Sequence, residues 1–326
     1  MYRSSTVLAE PPFGTPRQAD PFAQDLLACL SQHPRQLSPK WFYDETGSRL
    51  FEQICELPEY YPTRTELGLL ERHGAQMAAC MGDGVDLIEF GAGATRKVGL
   101  LLQHLPEARR FMPIDISGEH LVASQAPLRA RFPALAIEPL AADFTAPLAL
   151  PPAVGRRVGF FPGSSIGNFE PTQAQALLRR MAGWLTGGGL LVGVDLVKEP
   201  AVLHAAYNDA AGVTAAFNRN VLARANRELG CDFDLDGFAH AAFYHPVLQR
   251  IEMHLVSRRR QTVRLGDAAF GFEEGESLHT ENSYKYTVER FQALARSAGW
   301  RPQAVWCDDE RRFSVHWLLA GGAALH

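Results

Sequence analysis

Gly91 and Gly93 sit in the stretch Val85 to Val98, VDLIEFGAGATRKV, where residue type and spacing point most directly to chemistry. An apolar run (Val85, Leu87, Ile88, Phe90) leads into them, and a segment of helical character follows. A strand, a tight glycine turn and a helix N-terminus in succession let the backbone come close to a ligand and aim free N–H groups at it. Phe111-Met-Pro-Ile-Asp115 reads as a second strand ending in an acid. Asp115 lies at about the distance where nucleotide-binding folds place a carboxylate for the ribose hydroxyls. Together these features imply a cofactor with an adenosine part.

Such residues need a sheet to hold them. The apolar patterning predicts strands at Val85–Phe90, Arg110–Ile114, Ala136–Leu140, Val158–Phe161 and Leu190–Val197. It places helices between them at Arg96–His104, Gly118–Arg131 and Thr172–Leu185, with another at Glu66–Met81 ahead of the first strand. Alternating strands and helices predict a doubly wound, mostly parallel α/β sheet. The alternation breaks after Lys198. Helices follow at Ala201–Ala210 and Val213–Glu228. Gln249–Val256 and Gln261–Leu265 then read as a hairpin whose turn is Arg258-Arg-Arg260. A helix at Glu289–Ala298 and an antiparallel pair, Ala304–Cys307 with Phe313–Leu319, close the chain. Residues 21–64 plus 199–286 are therefore expected to form a second, discontinuous α+β domain. Residues 65–198 plus 287–326 form the sheet domain, and residues 1–20, rich in Pro, Ser and Gly, a flexible lead-in.

Composition narrows the functional classes. The chain is 46% hydrophobic and 21% charged, an ordinary globular balance. A net charge of −4 gives no general attraction to nucleic acid or to acidic membranes. The cysteines Cys29, Cys55, Cys80, Cys231 and Cys307 form no CxxC pair, which fits a reducing cytoplasm. No apolar run approaches the roughly 20 residues of a membrane span, and no signal-peptide core is present. His240, His245 and His254 lack the spacing of a metal-ligand set, so no metal is expected. Arg258-Arg-Arg260 has no interleaved aromatics of the kind nucleic-acid sites use, and Gly163-Ser-Ser165, although GSSIG fits the G-x-S-x-G spacing, is a weak basis for a hydrolase.

Two cofactor chemistries share the opening motif. Nicotinamide enzymes usually keep a third glycine where this chain has Arg96, whereas S-adenosylmethionine enzymes tolerate a looser turn and often end in an antiparallel hairpin. Longer blocks decide between them: PKWFYDETGSRLFEQICELPEYYPTRTE, FGAGATRK, DIS, ADF, FPGSSIGNFEP, LVKEP, YNDAAGVTAAFNRNVLARANRELG and TENSYKY. From about Ser38 onward the chain closely resembles the histidine Nα-methyltransferase family of the ergothioneine pathway. The resemblance implies a Rossmann-like class I methyltransferase sheet with a discontinuous substrate domain. It also implies S-adenosylmethionine as cofactor, L-histidine as substrate and hercynine as product, made by a monomer with neither nucleic acid nor membrane as partner.

Site roles follow from the same resemblance. Gly91 and Gly93 approach the amino-acid end of the cofactor, Lys97 meets its carboxylate, and Asp115 takes the ribose. Asp143 and the Phe144 N–H address adenine, and Tyr43 reaches over the cofactor. Asn168 and Tyr207 hold the substrate carboxylate. Tyr60 orients the amine and is the expected catalytic residue. Glu281 and Ser283 bind the imidazole, with Met253 in the pocket wall, while Asn282, on an alternating strand, points away. The expected reaction is in-line attack of the neutral amine on the sulfonium methyl group, repeated until no lone pair remains. Two readings stand beside it: the same chemistry on tryptophan or tyrosine, and a noncatalytic module that binds S-adenosylmethionine.

Overall fold

The computed structural model describes residues 20–93 and 95–321; nearly all of the expected lead-in lies outside them. An eight-stranded sheet runs in the order Trp300–Cys307, Phe313–Ala320, Gly189–Asp195, Arg156–Phe161, Val85–Phe90, Arg110–Asp115, Ala136–Ile137, with Leu140–Ala141 also paired to Arg110–Asp115. Strands from Gly189–Asp195 onward in that order pair in parallel. Phe313–Ala320 is antiparallel to both of its neighbours. All of Val85–Phe90 is buried, as a parallel strand covered on both faces requires. Its side chains alternate between two apolar layers. Leu87 packs with Leu70 and Met77 of helix Tyr61–Met81, and Ile88 and Phe90 pack with Leu177 and Met181 of helix Pro171–Trp184.

Several elements differ in detail from the pattern reading. The helix expected over Gly118–Arg131 is two, Gly118–Ser124 and Ala126–Arg131; Pro127 removes a backbone donor just after the break. The strand expected at Ala136–Leu140 is reduced to the fragments Ala136–Ile137 and Leu140–Ala141. The hairpin around Arg258-Arg-Arg260 does not form. Arg250–Ser257 instead pairs with Phe238–His245 and Ser277–Tyr284, and Gln261–Leu265 pairs with Ala268–Phe272. The turn between that last pair is Gly266-Asp267, with Gly266 at φ +56°, a conformation that two-residue hairpin turns demand.

A second, four-stranded sheet follows the order Arg35–Gln36, Ser277–Tyr284, Arg250–Ser257, Phe238–His245. Its core joins Phe22, Phe42 and Tyr60 to Phe217, Leu255 and Leu278, so residues before the large sheet pack with residues from the 199–286 excursion. That excursion leaves and re-enters the large sheet at one point. Leu196 and Tyr286 form a parallel bridge, and the Val197 N–H donates to the Tyr286 carbonyl at 2.9 Å. The boundary expected between residues 64 and 65 falls inside the unbroken helix Tyr61–Met81. Its first residue belongs to this second core and its later turns to the large sheet. Pro62 sits in its first turn, where no intrahelical N–H is needed.

The short 3-10 helix Ser165–Asn168 presses against strand Ser277–Tyr284. A Cβ on Gly167 would lie 2.7 Å from the Tyr284 carbonyl oxygen. Gly167→Ala is expected to force the two backbones apart and destabilise the fold by about 1–3 kcal/mol, read as a lower urea midpoint with an unchanged m-value.

Candidate active site

The candidate residues lie where the parallel strands end. Gly91 follows Val85–Phe90, Asp115 closes Arg110–Asp115, Gly163 follows Arg156–Phe161, and Asp195 closes Gly189–Asp195. From Val85–Phe90 the chain proceeds to one side, then returns to the other at Arg156–Phe161. Such a reversal opens a crevice at the carboxyl ends, the usual ligand site of an open α/β sheet. Here the cleft measures about 860 Å³, room enough for a nucleoside-sized cofactor.

Gly91, Gly93, Lys97, Asp115, Asp143, Phe144 and Tyr43 all line this cleft. Gly91 adopts φ +73°, which an L side chain resists, and its N–H donates to the Ile114 carbonyl at 2.9 Å. Asp115 accepts the Ser117 N–H at 2.8 Å, and Ser117 Oγ in turn donates to the Tyr43 carbonyl at 2.8 Å. Asp143 accepts from the Thr145 N–H at 2.8 Å with one oxygen and turns the other toward Lys40, 3.5 Å away. The Phe144 ring packs edge-on against Phe90 and Phe161.

Lys97 does not stand alone in the first turn of helix Arg96–Leu102. Its Nζ lies 2.6 Å from Oε2 of the buried Glu66, whose carboxylate also accepts the Gly163 N–H at 2.9 Å. Glu89 is buried nearby, and burial pushes its carboxyl up to about 8 against the pull of Lys97. Lys97 itself is held above the usual lysine range: burial works against its charge, but Glu66 outweighs it.

An inner chamber opens from the cleft. It is lined by Tyr60, Asn168, Tyr207, Glu281 and Ser283, and it shares Tyr43, Tyr60 and Asn168 with the outer cavity. Tyr60 begins helix Tyr61–Met81 as its N-cap, and its ring meets Tyr207 edge-on at 6.4 Å. Burial drives its phenol well above the usual range. Burial also lifts Glu281 to about 7, opposed by Lys285. A β-bulge lies between His279 and Glu281; beyond it Glu281 and Ser283 face the chamber, while Asn282 Nδ2 donates to Glu170 at 3.0 Å. Asn282 also borders the outer cleft. Met253 is the register partner of Glu281, yet it is 1% exposed in the second core and lines neither cavity.

A charge cluster forms the chamber floor. Asp195 accepts from Tyr61 Oη at 2.7 Å, Lys198 Nζ at 2.5 Å and Lys285 Nζ at 2.8 Å. The two lysines hold Asp195 below the ordinary aspartate range in spite of its burial. Burial lowers Lys198 to about 8. Ser164 supports the same point: its Oγ accepts the Asp195 N–H at 2.8 Å from a left-handed backbone, φ 56°. A non-glycine residue held there is strained by about 1–3 kcal/mol, a cost that commonly marks working sites.

The pattern reading did not single out Glu66, Asp195, Lys198, Lys285 or Ser164 as site residues. Two signals were available: Lys198 and Lys285 lie within LVKEP and TENSYKY, and Asp195 ends an apolar strand as Asp115 does. Among the described residues, Glu252, His254 and His279 bring potential metal-ligand atoms within 4.8 Å of one another. The two rings are stacked 12° from parallel, however, so their in-plane lone pairs do not converge on one point.

A family model described as histidine-specific methyltransferase, SAM-dependent, matches residues 22–320. The chain belongs to that family. It is similar to the histidine N-alpha-methyltransferase of Mycolicibacterium smegmatis, 43% identical over 303 residues, with 91% of this chain and 94% of that protein covered. The Mycobacterium tuberculosis protein of the same name is 41% identical, with 90% and 92% covered. Ergothioneine biosynthesis protein 1 of Neurospora crassa is 31% identical; the match covers 84% of this chain and 32% of that longer protein. The methyltransferase thus takes S-adenosylmethionine as its methyl donor, and the doubly wound sheet with an antiparallel end is its class I fold. Among the described residues, no helix is long and apolar enough to cross a membrane.

Glu66→Ala removes the acceptor for the Gly163 N–H and the partner of Lys97. The expected cost is about 3–5 kcal/mol of stability, seen as a lowered denaturation midpoint, with Lys97→Met also destabilising because it leaves the buried Glu66 carboxylate without its cation.

Proposed function

We propose that this enzyme transfers three methyl groups from S-adenosylmethionine to the α-amine of L-histidine, making hercynine, the first step of ergothioneine biosynthesis. The observation that carries this reading is the joining of two cavities through Tyr43, Tyr60 and Asn168. One is floored by the glycine turn and Asp115, and the other is lined by polar groups matched to an amino acid with a ring N–H donor.

In this reading Gly91, Gly93 and Lys97 receive the amino-acid end of the cofactor, Asp115 the ribose, and Asp143 with the Phe144 N–H the adenine. Asn168 and Tyr207 take the substrate carboxylate. The excess of buried ammonium over carboxylate around Asp195 favours that anion. Glu281 accepts an imidazole N–H, and Ser283 meets the second ring nitrogen. Met253, opposite Glu281 on the neighbouring strand, contributes through the apolar core rather than as pocket wall. Residues 21–64 plus 199–286 serve as the substrate unit and residues 65–198 plus 287–326 as the cofactor unit, a division supported by their separate apolar cores. All five cysteines are free, which supports a cytoplasmic setting.

The chemistry needs alignment above all. The amine lone pair attacks the methyl carbon along the C–S axis, the C–S bond breaks, and S-adenosylhomocysteine leaves with the bonding electrons. An ammonium has no lone pair, so a proton must leave before each attack. Tyr60, with its phenol held protonated by burial, orients the amine and offers a ring face to the increasingly methylated cation. The quaternary product has no lone pair, and transfer stops at three.

Purified enzyme incubated with S-adenosylmethionine and each free amino acid is expected to add three methyl masses to histidine. Tight cofactor binding with no turnover on any amino acid would support a regulatory module, and preferential gain on tryptophan or tyrosine would reassign the substrate. Glu281→Ala is expected to lower kcat/KM for histidine about 10–100-fold, the cost of one hydrogen bond to a charged group, while calorimetric affinity for S-adenosylmethionine stays within a few-fold. With its carboxyl near 7, the wild type is expected to lose histidine affinity as pH falls through neutrality. Glu281→Gln, compared over the same range, separates that limb from titration of histidine itself.

A further inference from the structure

Lys285 lines neither cavity and is completely buried. Its ammonium carries three hydrogens and no acceptor, and all three have partners: Asp195 Oδ2 at 2.8 Å, Ser283 Oγ at 2.7 Å and Tyr207 Oη at 3.1 Å. Tyr207 and Ser283 are in turn hydrogen-bonded to each other at 2.7 Å. Both hydroxyls therefore use an acceptor position on Lys285. Their mutual bond uses one of the two hydroxyl hydrogens, whichever way it points. One hydrogen is left, on Ser283 if Tyr207 donates to it, or on Tyr207 in the opposite case. Both groups line the chamber, so that hydrogen is the one the pair can offer there.

We propose that Lys285 is a positioning residue that sets the hydrogen-bond polarity of the substrate chamber, holding Tyr207 and Ser283 so that together they present a single donor hydrogen. The inference rests on the histidine reading above and adds a constraint to it. Tyr207 cannot donate to the carboxylate while Ser283 donates to the ring. If the hydrogen sits on Ser283, it meets an unprotonated ring nitrogen, Glu281 accepts the other N–H, and the bound imidazole is one neutral tautomer. If it sits on Tyr207, it meets the carboxylate, and Ser283 is left to accept. Either way the lysine charge polarises both hydroxyls, which strengthens the one bond they make.

The test is histidine kinetics, with calorimetric S-adenosylmethionine binding as the measure of folding, for Tyr207→Phe, Ser283→Ala, Lys285→Met and their combinations. Each single hydroxyl deletion leaves its neighbour a hydrogen for the chamber, so the expected rise in histidine KM is about 10-fold or less. The double deletion removes that hydrogen, and its effect should exceed the product of the two singles. Lys285→Met should raise histidine KM more than it changes kcat, and should add little once both hydroxyls are gone, because it acts through them. Single effects that simply multiply overturn the proposal, as does a full Lys285→Met effect in the double background. If Lys285→Met fails to bind cofactor, the Tyr207 and Ser283 pair still decides, since it keeps the native lysine. A wild-type enzyme that leaves histidine unmethylated overturns the substrate reading instead.

Discussion

Asp195 is the fixed point of this molecule. One carboxylate, 1% exposed, takes hydrogens from a phenol and two ammonium groups. The phenol belongs to the start of helix Tyr61–Met81, the lysines to the segments where the 199–286 excursion departs and returns. Burying these charges is costly in isolation, and each is tolerable only because the others are present. Removing one partner leaves an uncompensated charge, at a cost of about 3–5 kcal/mol. The two apolar cores are therefore pinned to each other by charge at the point where the chamber is built. An apolar contact there could slide; a three-donor cage around one carboxylate cannot without breaking hydrogen bonds.

The outer cleft holds a second buried charge pair. Glu66 and Glu89 both lie against Lys97, and Glu89 is driven up to about 8 by its burial. Glu66 is matched by Lys97, and Glu89 is largely protonated at neutral pH, so this wall carries little net charge. Behind the inner chamber, by contrast, two lysines meet the single carboxylate of Asp195.

Much of the sheet was legible because its strands are buried on both faces and read as apolar runs; Val85–Phe90 matches residue for residue. The glycine turn and Asp115 were legible for a related reason, since a motif tied to strand ends has a predictable place. The second sheet was harder. Phe238–His245, with small and polar residues along its length, has no clear alternation, so its pairing with Arg250–Ser257 was missed and a false hairpin took its place. The site residues carried by resemblance do meet around two joined cavities, apart from Met253. What no local pattern could reveal was the hidden support. Glu66, Asp195 and Lys285 act through partners 97, 134 and 78 positions away in the chain, and only the folded arrangement brings them together.

The place of Phe313–Ala320 in the large sheet has a consequence for how the chain is made. It lies between Gly189–Asp195 and Trp300–Cys307, antiparallel to both. During synthesis from the N-terminus, the fully buried, apolar Gly189–Asp195 emerges long before the strand that covers its open side. Until Phe313–Ala320 is made and docks, that side is a bare template for pairing with another chain. The nascent polypeptide thus passes through a window of aggregation risk that closes only when Phe313–Ala320 is in place, and truncation just short of Phe313 would hold that window open.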